Sequence, residues 1–260
     1  MTTSKVILVT AGASGIGQYI AELFLEEGNA VHVCDINAEY INSFLKCNPK
    51  ATASQTDVSK YDEVEKLFQD IDKIYGKLNI LINNAGIAGA SAGIEDIPVD
   101  NWDKTISINL NGMFYVSKFA VPLIKVNKSG SVVNISSTAG LMGVPNRSPY
   151  AASKWAVIGL TKTMAMELGP FDINVNAVCP GCVDGDRIER VIKADAKNQG
   201  KTAKEIEAVY KRQSSMRRFV KAGDIASMVH FLCSDRGHSI SGQAIAVDGN
   251  TEGLFNWLDD

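Results

Sequence analysis

No stretch of this chain approaches the roughly 18 consecutive apolar residues that a membrane-spanning helix needs, so no membrane partner is expected. Charge of one sign is not in excess either. Lysine and arginine number 26 against 29 acidic residues, a net charge of −3, with both signs spread along the chain. That balance excludes the basic stripe of a nucleic-acid surface and the polybasic patch of a lipid-surface binder. Cysteine is sparse and odd in number: Cys34, Cys47, Cys179, Cys182 and Cys233 do not make a disulfide framework. Histidine is scarcer still. His32, His230 and His238 show no metal-ligand spacing, and no metal site is expected. Internal repeats and low-complexity tracts are missing. The opening Met1-Thr2-Thr3-Ser4-Lys5 leads straight into a strand-like run and does not read as a signal peptide, which makes the cytoplasm the expected location.

What is present is a chain of 260 residues, 45% of them hydrophobic, enough for one large core. Short apolar runs at 6–9, 30–34, 51–56, 79–82, 131–135, 173–178 and 244–247 read as strands. Helical patterns at 16–27, 37–46, 64–74, 100–125, 148–168 and 223–233 lie between them. Pro122 is expected to kink or break the last turn of the 100–125 helix. This alternation predicts an α/β fold: a single domain over 1–260, with a doubly wound, Rossmann-type parallel sheet covered by helices on both faces. One segment departs from the rhythm. Residues 184–222 are charged and helix-prone where a strand–helix connection is normally short, which marks a candidate substrate lid.

The chemistry is concentrated in a few places. Tyr150 and Lys154 stand four apart in Tyr150-Ala151-Ala152-Ser153-Lys154 and share one helix face, with Ser137 thirteen residues upstream. A cation one turn away favours the phenolate of a tyrosine that is otherwise a poor base at neutral pH. A serine hydroxyl nearby can hold a substrate oxygen while the tyrosine moves its proton. Between the first strand and first helix lies Thr10-Ala11-Gly12-Ala13-Ser14-Gly15-Ile16-Gly17. Such a loop lets backbone approach a pyrophosphate at a helix N-terminus. Asp35 ends the second strand, where a carboxylate accepts hydrogen bonds from ribose hydroxyls and repels a 2′-phosphate. Neither Ile36 nor Ser14 offers a compensating base, so NAD is expected over NADP. Asp57-Val58 after the third strand can meet an adenine amino group. Asn83-Asn84-Ala85-Gly86 after the fourth can be a cofactor contact or simply a sharp turn. Asn109, a polar residue in an apolar helical stripe, could bind a water linking the lysine to solvent. Cys179-Pro180-Gly181-Cys182 reads as a tight turn rather than a redox pair.

Together these motifs resemble the classical short-chain dehydrogenase/reductase family over nearly the whole chain. The family's Thr-Gly-x-x-x-Gly-x-Gly loop falls on Thr10 to Gly17, with Ala11 in place of the first glycine, and its Asn-Asn-Ala-Gly on 83–86. The resemblance implies a catalytic tetrad of Asn109, Ser137, Tyr150 and Lys154. It implies cofactor contacts from Gly12, Ser14, Gly15, Ile16, Gly17, Asp35, Asp57, Val58, Asn84, Ala85, Gly86, Tyr150, Lys154, Pro180, Gly181 and the backbone of Val183. The family's usual threonine two residues after Val183 is Gly185 here. A homotetramer is implied too, with the 100–125 and Tyr150 helices packing against symmetry mates and the apolar Leu254–Leu258 tail covering its own subunit or a neighbour. The implied activity is NAD-dependent interconversion of a secondary alcohol and a ketone; the alternative is a catalytically idle NAD(H)-binding subunit. For a small polar substrate such as a hydroxy acid or sugar derivative, Asn146, Arg147 and Arg187 are candidate contacts. Arg187 either grips an anion or is a solvated helix-start arginine.

Overall fold

The computed structural model describes residues 4–251; the apolar tail at 254–258 lies outside them. Seven strands form one parallel sheet: β1 (Val6–Thr10), β2 (Ala30–Asp35), β3 (Thr52–Gln55), β4 (Ile80–Asn83), β5 (Gly130–Ile135), β6 (Ile173–Pro180) and β7 (Ala244–Val247). Their order is β3-β2-β1-β4-β5-β6-β7. The chain reverses direction across the sheet between β1 and β4, and in open α/β sheets the crevice at that switch point takes the ligand. Among the described residues nine α-helices flank the strands: α1 (Gly15–Glu26), α2 (Ala38–Cys47), α3 (Tyr61–Tyr75), α4 (Val99–Ile106), α5 (Gly112–Lys125), α6 (Ser148–Leu168), α7 (Asp186–Gln199), α8 (Ala203–Arg212) and α9 (Ala222–Leu232).

The sheet is buried on both faces, which is why its strands read as unbroken apolar runs. Successive side chains still part company. Ile7 and Val9 pack with Ile20 and Phe24 of α1 and Val229 of α9, whereas Leu8 packs with Leu67 of α3 and Val116 of α5. Local chemistry sets several ends. Asn37 accepts from the backbone N–H groups of Glu39 and Tyr40 to start α2. Gly76, at φ 63°, ends α3 in a left-handed turn. Polar side chains meet across the registered strands. His32 of β2 lies opposite Thr52 of β3 and bonds it at 2.7 Å; Asn83 of β4 lies opposite Asn134 of β5 and donates to it at 2.9 Å.

The single helix expected over 100–125 is instead two helices joined by a π-helical turn at Ser107–Asn111. The extra residue in that turn changes the direction of Asn109 without disturbing the apolar stripe, a device common at functional sites. Pro122 does not end α5, which runs on to Lys125. A proline inside a helix costs about 3 kcal/mol, and the fully buried Ala120 and Ile124 beside it hold the turn in place. Residues 184–222 fold into α7 and α8 around their own small apolar cluster of Ile188, Ile192, Ala196 and Ile206.

Candidate active site

The loop after β1 is shaped for a close approach of backbone. A Cβ at Gly12 would stand 2.8 Å from a Val33 methyl, and one at Gly17 would fall within the contact radius of the Ala11 carbonyl. Gly15 has φ 53° and open space around it, and it forms the first residue of α1. The Ser14 hydroxyl makes no capping bond and the first turn carries no acid, so the positive end of the helix is free to meet an anion. Ala11 takes φ 47° where the family has glycine, a left-handed conformation that alanine adopts at a cost of about 1 kcal/mol. What holds it is Asn84, whose amide donates to the carbonyls of Thr10 and Ala11 at 3.0 and 3.1 Å. The Thr10 hydroxyl in turn accepts from the N–H groups of Asn84 and Ala85. The turn reading of 83–86 and the cofactor reading are thus compatible: these residues brace the loop from below.

At the end of β2, Asp35 is only 6% exposed, and its Oδ1 accepts from the Asn37 N–H at 3.0 Å. Ile36 beside it is 62% exposed and brings no charge. Asp57 follows β3; its Oδ1 accepts from the N–H and hydroxyl of Ser59, while Val58 is buried against Gly112. These groups fit the adenosine half of a nicotinamide cofactor.

At the carboxyl ends of β5 and β6 the proton-handling groups converge. The two adjacent serines part. Ser136 is buried and donates to the Lys154 carbonyl at 2.9 Å, whereas Ser137, whose Oγ accepts from the Ala139 N–H at 3.2 Å, is the hydroxyl beside the Tyr150 phenol. Burial pushes the Tyr150 phenol up, but Arg187, Lys154, Ser137 and Arg147 together outweigh it and leave the phenol below its ordinary range. Lys154 is 3% exposed, its Nζ donating to the Ile135 carbonyl at 2.8 Å and lying 5.7 Å from the centre of the Tyr150 ring. Burial first, then Arg187, lower its pKa. Asn109, wholly buried, accepts from the Ile87 N–H at 2.8 Å and donates to the Ile87 carbonyl and to Ser153, whose hydroxyl is bonded to the Tyr150 carbonyl. Both amide hydrogens of Asn109 are therefore spent, leaving one lone pair of Oδ1. That oxygen and Lys154 Nζ face the same spot above Gly86, where a Cβ would stand 3.2 and 3.4 Å from them. A protein-family model described as enoyl-(acyl carrier protein) reductase matches residues 10–250, from the loop threonine to just beyond β7.

The chain belongs to the short-chain dehydrogenase/reductase family. It is 35% identical to a 3-oxoacyl-(acyl-carrier-protein) reductase of Thermotoga maritima, over 94% of this chain and 96% of that protein. It is likewise 35% identical to an NAD-dependent glycerol dehydrogenase of Listeria innocua, over 95% and 93%. Among solved structures, NAD+-bound xylitol dehydrogenase superposes with a TM-score of 0.92 at 31% identity, covering 96% of this chain and all of that one. An actinorhodin polyketide ketoreductase variant with NADPH reaches 0.93 at 32%, covering 98% and 99%. The common ground of this family is a nicotinamide-linked oxidoreductase acting on an alcohol or ketone.

In this short-chain dehydrogenase/reductase the β6 end leads into a tight turn against Asp248. Gly181 packs so tightly on Asp248 that a Cβ there would stand 2.7 Å from its Cβ. The groups flanking Val183, the Cys182 carbonyl and the Asp184 N–H, both pair with Val220, so the N–H and carbonyl of Val183 itself point the other way. Gly185 has φ 131°, a backbone angle that threonine would not adopt, so the missing hydroxyl is part of a different local path into α7. Cys179 and Cys182 form no disulfide, and burial pushes each thiol up to about 11, the opposite of a redox-active pair. No group of three or more metal-ligating side chains occurs among the described residues. Asn146, at φ 62°, is exposed in the turn before α6, and its carbonyl accepts from Ala92.

The sequence reading missed Ser153, which ties Asn109 to the Tyr150 turn, and Thr10, which braces the loop. It also missed two residues of α7: Arg190, which lines the cleft with Arg147 and Arg187, and Asp195, which pairs with Arg147. Arg190 is three residues from Arg187, a spacing that puts both on one helix face.

Proposed function

We propose that this protein is an NAD-dependent dehydrogenase/reductase that interconverts a secondary alcohol and a ketone on a small polar substrate. The observation that carries the reading is the cluster of buried Lys154 with half-buried Ser137 and Tyr150, beside a cleft of about 420 Å³ whose Arg187 lies 5.7 Å from the centre of the Tyr150 ring. When bound, NAD supplies the hydride acceptor for the carbinol carbon. The backbone of Gly12, Ser14, Gly15, Ile16 and Gly17 would hold its pyrophosphate, and Asp35 its ribose hydroxyls. Asp57 and Val58 would meet the adenine, and Ala85 and Gly86 would support the middle of the cofactor. Pro180, Gly181 and Val183 would border the nicotinamide.

The chain's own residues then handle the substrate proton. Ser137 orients the hydroxyl oxygen. Tyr150, its phenolate favoured by Lys154 and the nearby guanidinium groups, takes the hydroxyl proton as the carbon gives up its hydride, leaving a ketone. Lys154 and Asn109 share a water above Gly86 through which the proton reaches solvent. In reduction the same tyrosine donates. α7 walls the cleft and, with α8 packed on it, acts as its lid. The exposed Phe114 of α5 and Trp155 and Met166 of α6 suit a homotetramer built on those helices. The test is NADH formation across polyols, sugars and hydroxy acids by wild type and by Tyr150→Phe. The variant keeps ring packing and should lose at least ~100-fold in turnover, as for a missing general base. Equal turnover by the variant would remove Tyr150 from the mechanism.

A further inference from the structure

The cleft beside Tyr150 carries more positive charge than its own acids balance. Arg147, Arg187 and Arg190 all line it, with Gly86 and Asn198. Arg147 is the one with an acidic partner: Asp195 stands 3.7 Å from it, and both side chains are 12% exposed. Asp195 is itself fixed, accepting from the Tyr210 hydroxyl at 2.5 Å and from Ser91 at 3.3 Å. Arg147 is therefore a positioned side chain. Arg187 and Arg190 have no carboxylate within 4.0 Å among the described residues, although Asp184, Asp186 and Glu189 are neighbours in sequence. Glu189 pairs with Lys193 instead, at 3.5 Å. The other face of α7 is committed to its apolar cluster through Ile188, Ile192 and Ala196. The guanidinium carbon of Arg187 lies 5.7 Å from the centre of the Tyr150 ring.

We propose that Arg187 and Arg190, backed by Arg147, form a subsite for an anionic group of the substrate, a carboxylate, sulfonate or phosphate a few bonds from the carbinol carbon. Two exposed guanidinium groups on one wall of a cleft lack a carboxylate partner of their own among the described residues. A substrate anion supplies that counter-ion, and forked N–H donors match planar or tetrahedral oxyanions. The short reach from Arg187 to Tyr150 means that one small molecule spans both. Asp195 has the complementary part: it leaves Arg147 oriented while cancelling only one of the three charges. The inference rests on the alcohol–ketone reading and specifies its substrate class.

The experiment compares matched ketones by calorimetry on the NAD-saturated protein, where no hydride is available and binding is read without turnover. Acetoacetate is set against acetoacetamide, and hydroxyacetone phosphate against hydroxyacetone, with acetonesulfonate as the third anion. At least one anion should bind ten times more tightly than the neutral ketones, the scale of one charge-assisted contact of about 1.5 kcal/mol or more. The best of the three names the class. In Arg187→Gln/Arg190→Gln the ratio of anionic to neutral affinity should collapse toward one, and in the corresponding double lysine variant it should partly survive. The inference is overturned if no anion binds more tightly than its neutral partner in the wild type, or if the preference persists in the glutamine variant. Should that variant fold poorly, the wild-type comparison alone decides. Loading is checked by titrating NAD first. Failure there counts against the cofactor reading and leaves the subsite to be judged on the cofactor-free protein.

Discussion

Replacing Asp35 with asparagine should erase most of the discrimination between NAD and NADP. Asparagine is the informative choice because Asp35 Oδ1 accepts from the Asn37 N–H; an amide oxygen keeps that bond and the start of α2, so only the charge is lost. A 2′-phosphate placed about 4 Å from the carboxylate is repelled by about 4 kcal/mol at an effective dielectric near 20, and by about 1 kcal/mol in water. Those limits correspond to a preference for NAD between roughly fivefold and 1,000-fold. With Asp35 6% exposed at the end of β2, the value should fall in the upper half of that range. The assay is the ratio of kcat/KM for the two cofactors with one substrate, in wild type and Asp35→Asn, at low and high salt. The ratio should fall at least tenfold in the variant and should shrink with salt only where the repulsion is screened. A wild-type preference for NADP, or an unchanged ratio in the variant, would refute the charge argument. Since relatives with NAD and with NADPH share this fold equally well, the measurement has discriminating power that the fold does not.

Other outcomes follow from the same geometry. Gly86→Ala puts a methyl between Asn109 Oδ1 and Lys154 Nζ, and should cut turnover by more than it weakens cofactor affinity, read by titration; unimpaired turnover would mean that no shared water works there. Because Arg187 is the largest of the groups holding the Tyr150 phenol down, with Lys154, Ser137 and Arg147 behind it, Arg187→Gln should move the rising limb of the pH–rate profile for alcohol oxidation to higher pH. A limb that stays put would show that the guanidinium does not reach the phenol electrostatically. Amide exchange in α7 and α8 should slow when NAD and substrate bind together; exchange already slow in the free protein and unchanged by ligands would make the segment a fixed wall.

The alternation of apolar runs and helical patterns was enough to read the sheet and nearly every helix, because a doubly covered parallel sheet demands continuous burial of strands such as Val6–Thr10 and Ile173–Pro180. The candidate site was legible where chemistry is tied to local spacing, as in Tyr150 and Lys154, one turn apart. It was not legible where partners are chosen by tertiary contact. A π-helical turn adds one residue without erasing the apolar stripe, so 100–125 reads as one helix. Asp195 looks like any solvated helix acid until α7 is folded over the turn before α6, where it meets Arg147. Ser153 was passed over because it sits between Tyr150 and Lys154. Only the fold brings the buried amide of Asn109 to its hydroxyl.

The polar pairs between strands bear on how this chain avoids misassembly. Between Ile80–Asn83 and Gly130–Ile135, contact among Ile80, Leu81, Ile82, Val132 and Val133 alone would accept several alignments with nearly equal energy. The amides make those alignments unequal. In the native pairing Asn83 donates to both Ser117 and Asn134, and the Asn134 amide in turn donates to Thr161 of α6. Shift β4 by a single position and the amides lose one another inside a dry interior, at about 1–3 kcal/mol for each stranded group. His32 and Thr52 impose the same condition at the other end of the sheet. The carboxyl ends of the strands, and with them every group that meets the ligand, are thus set to a common level by side chains that never touch it.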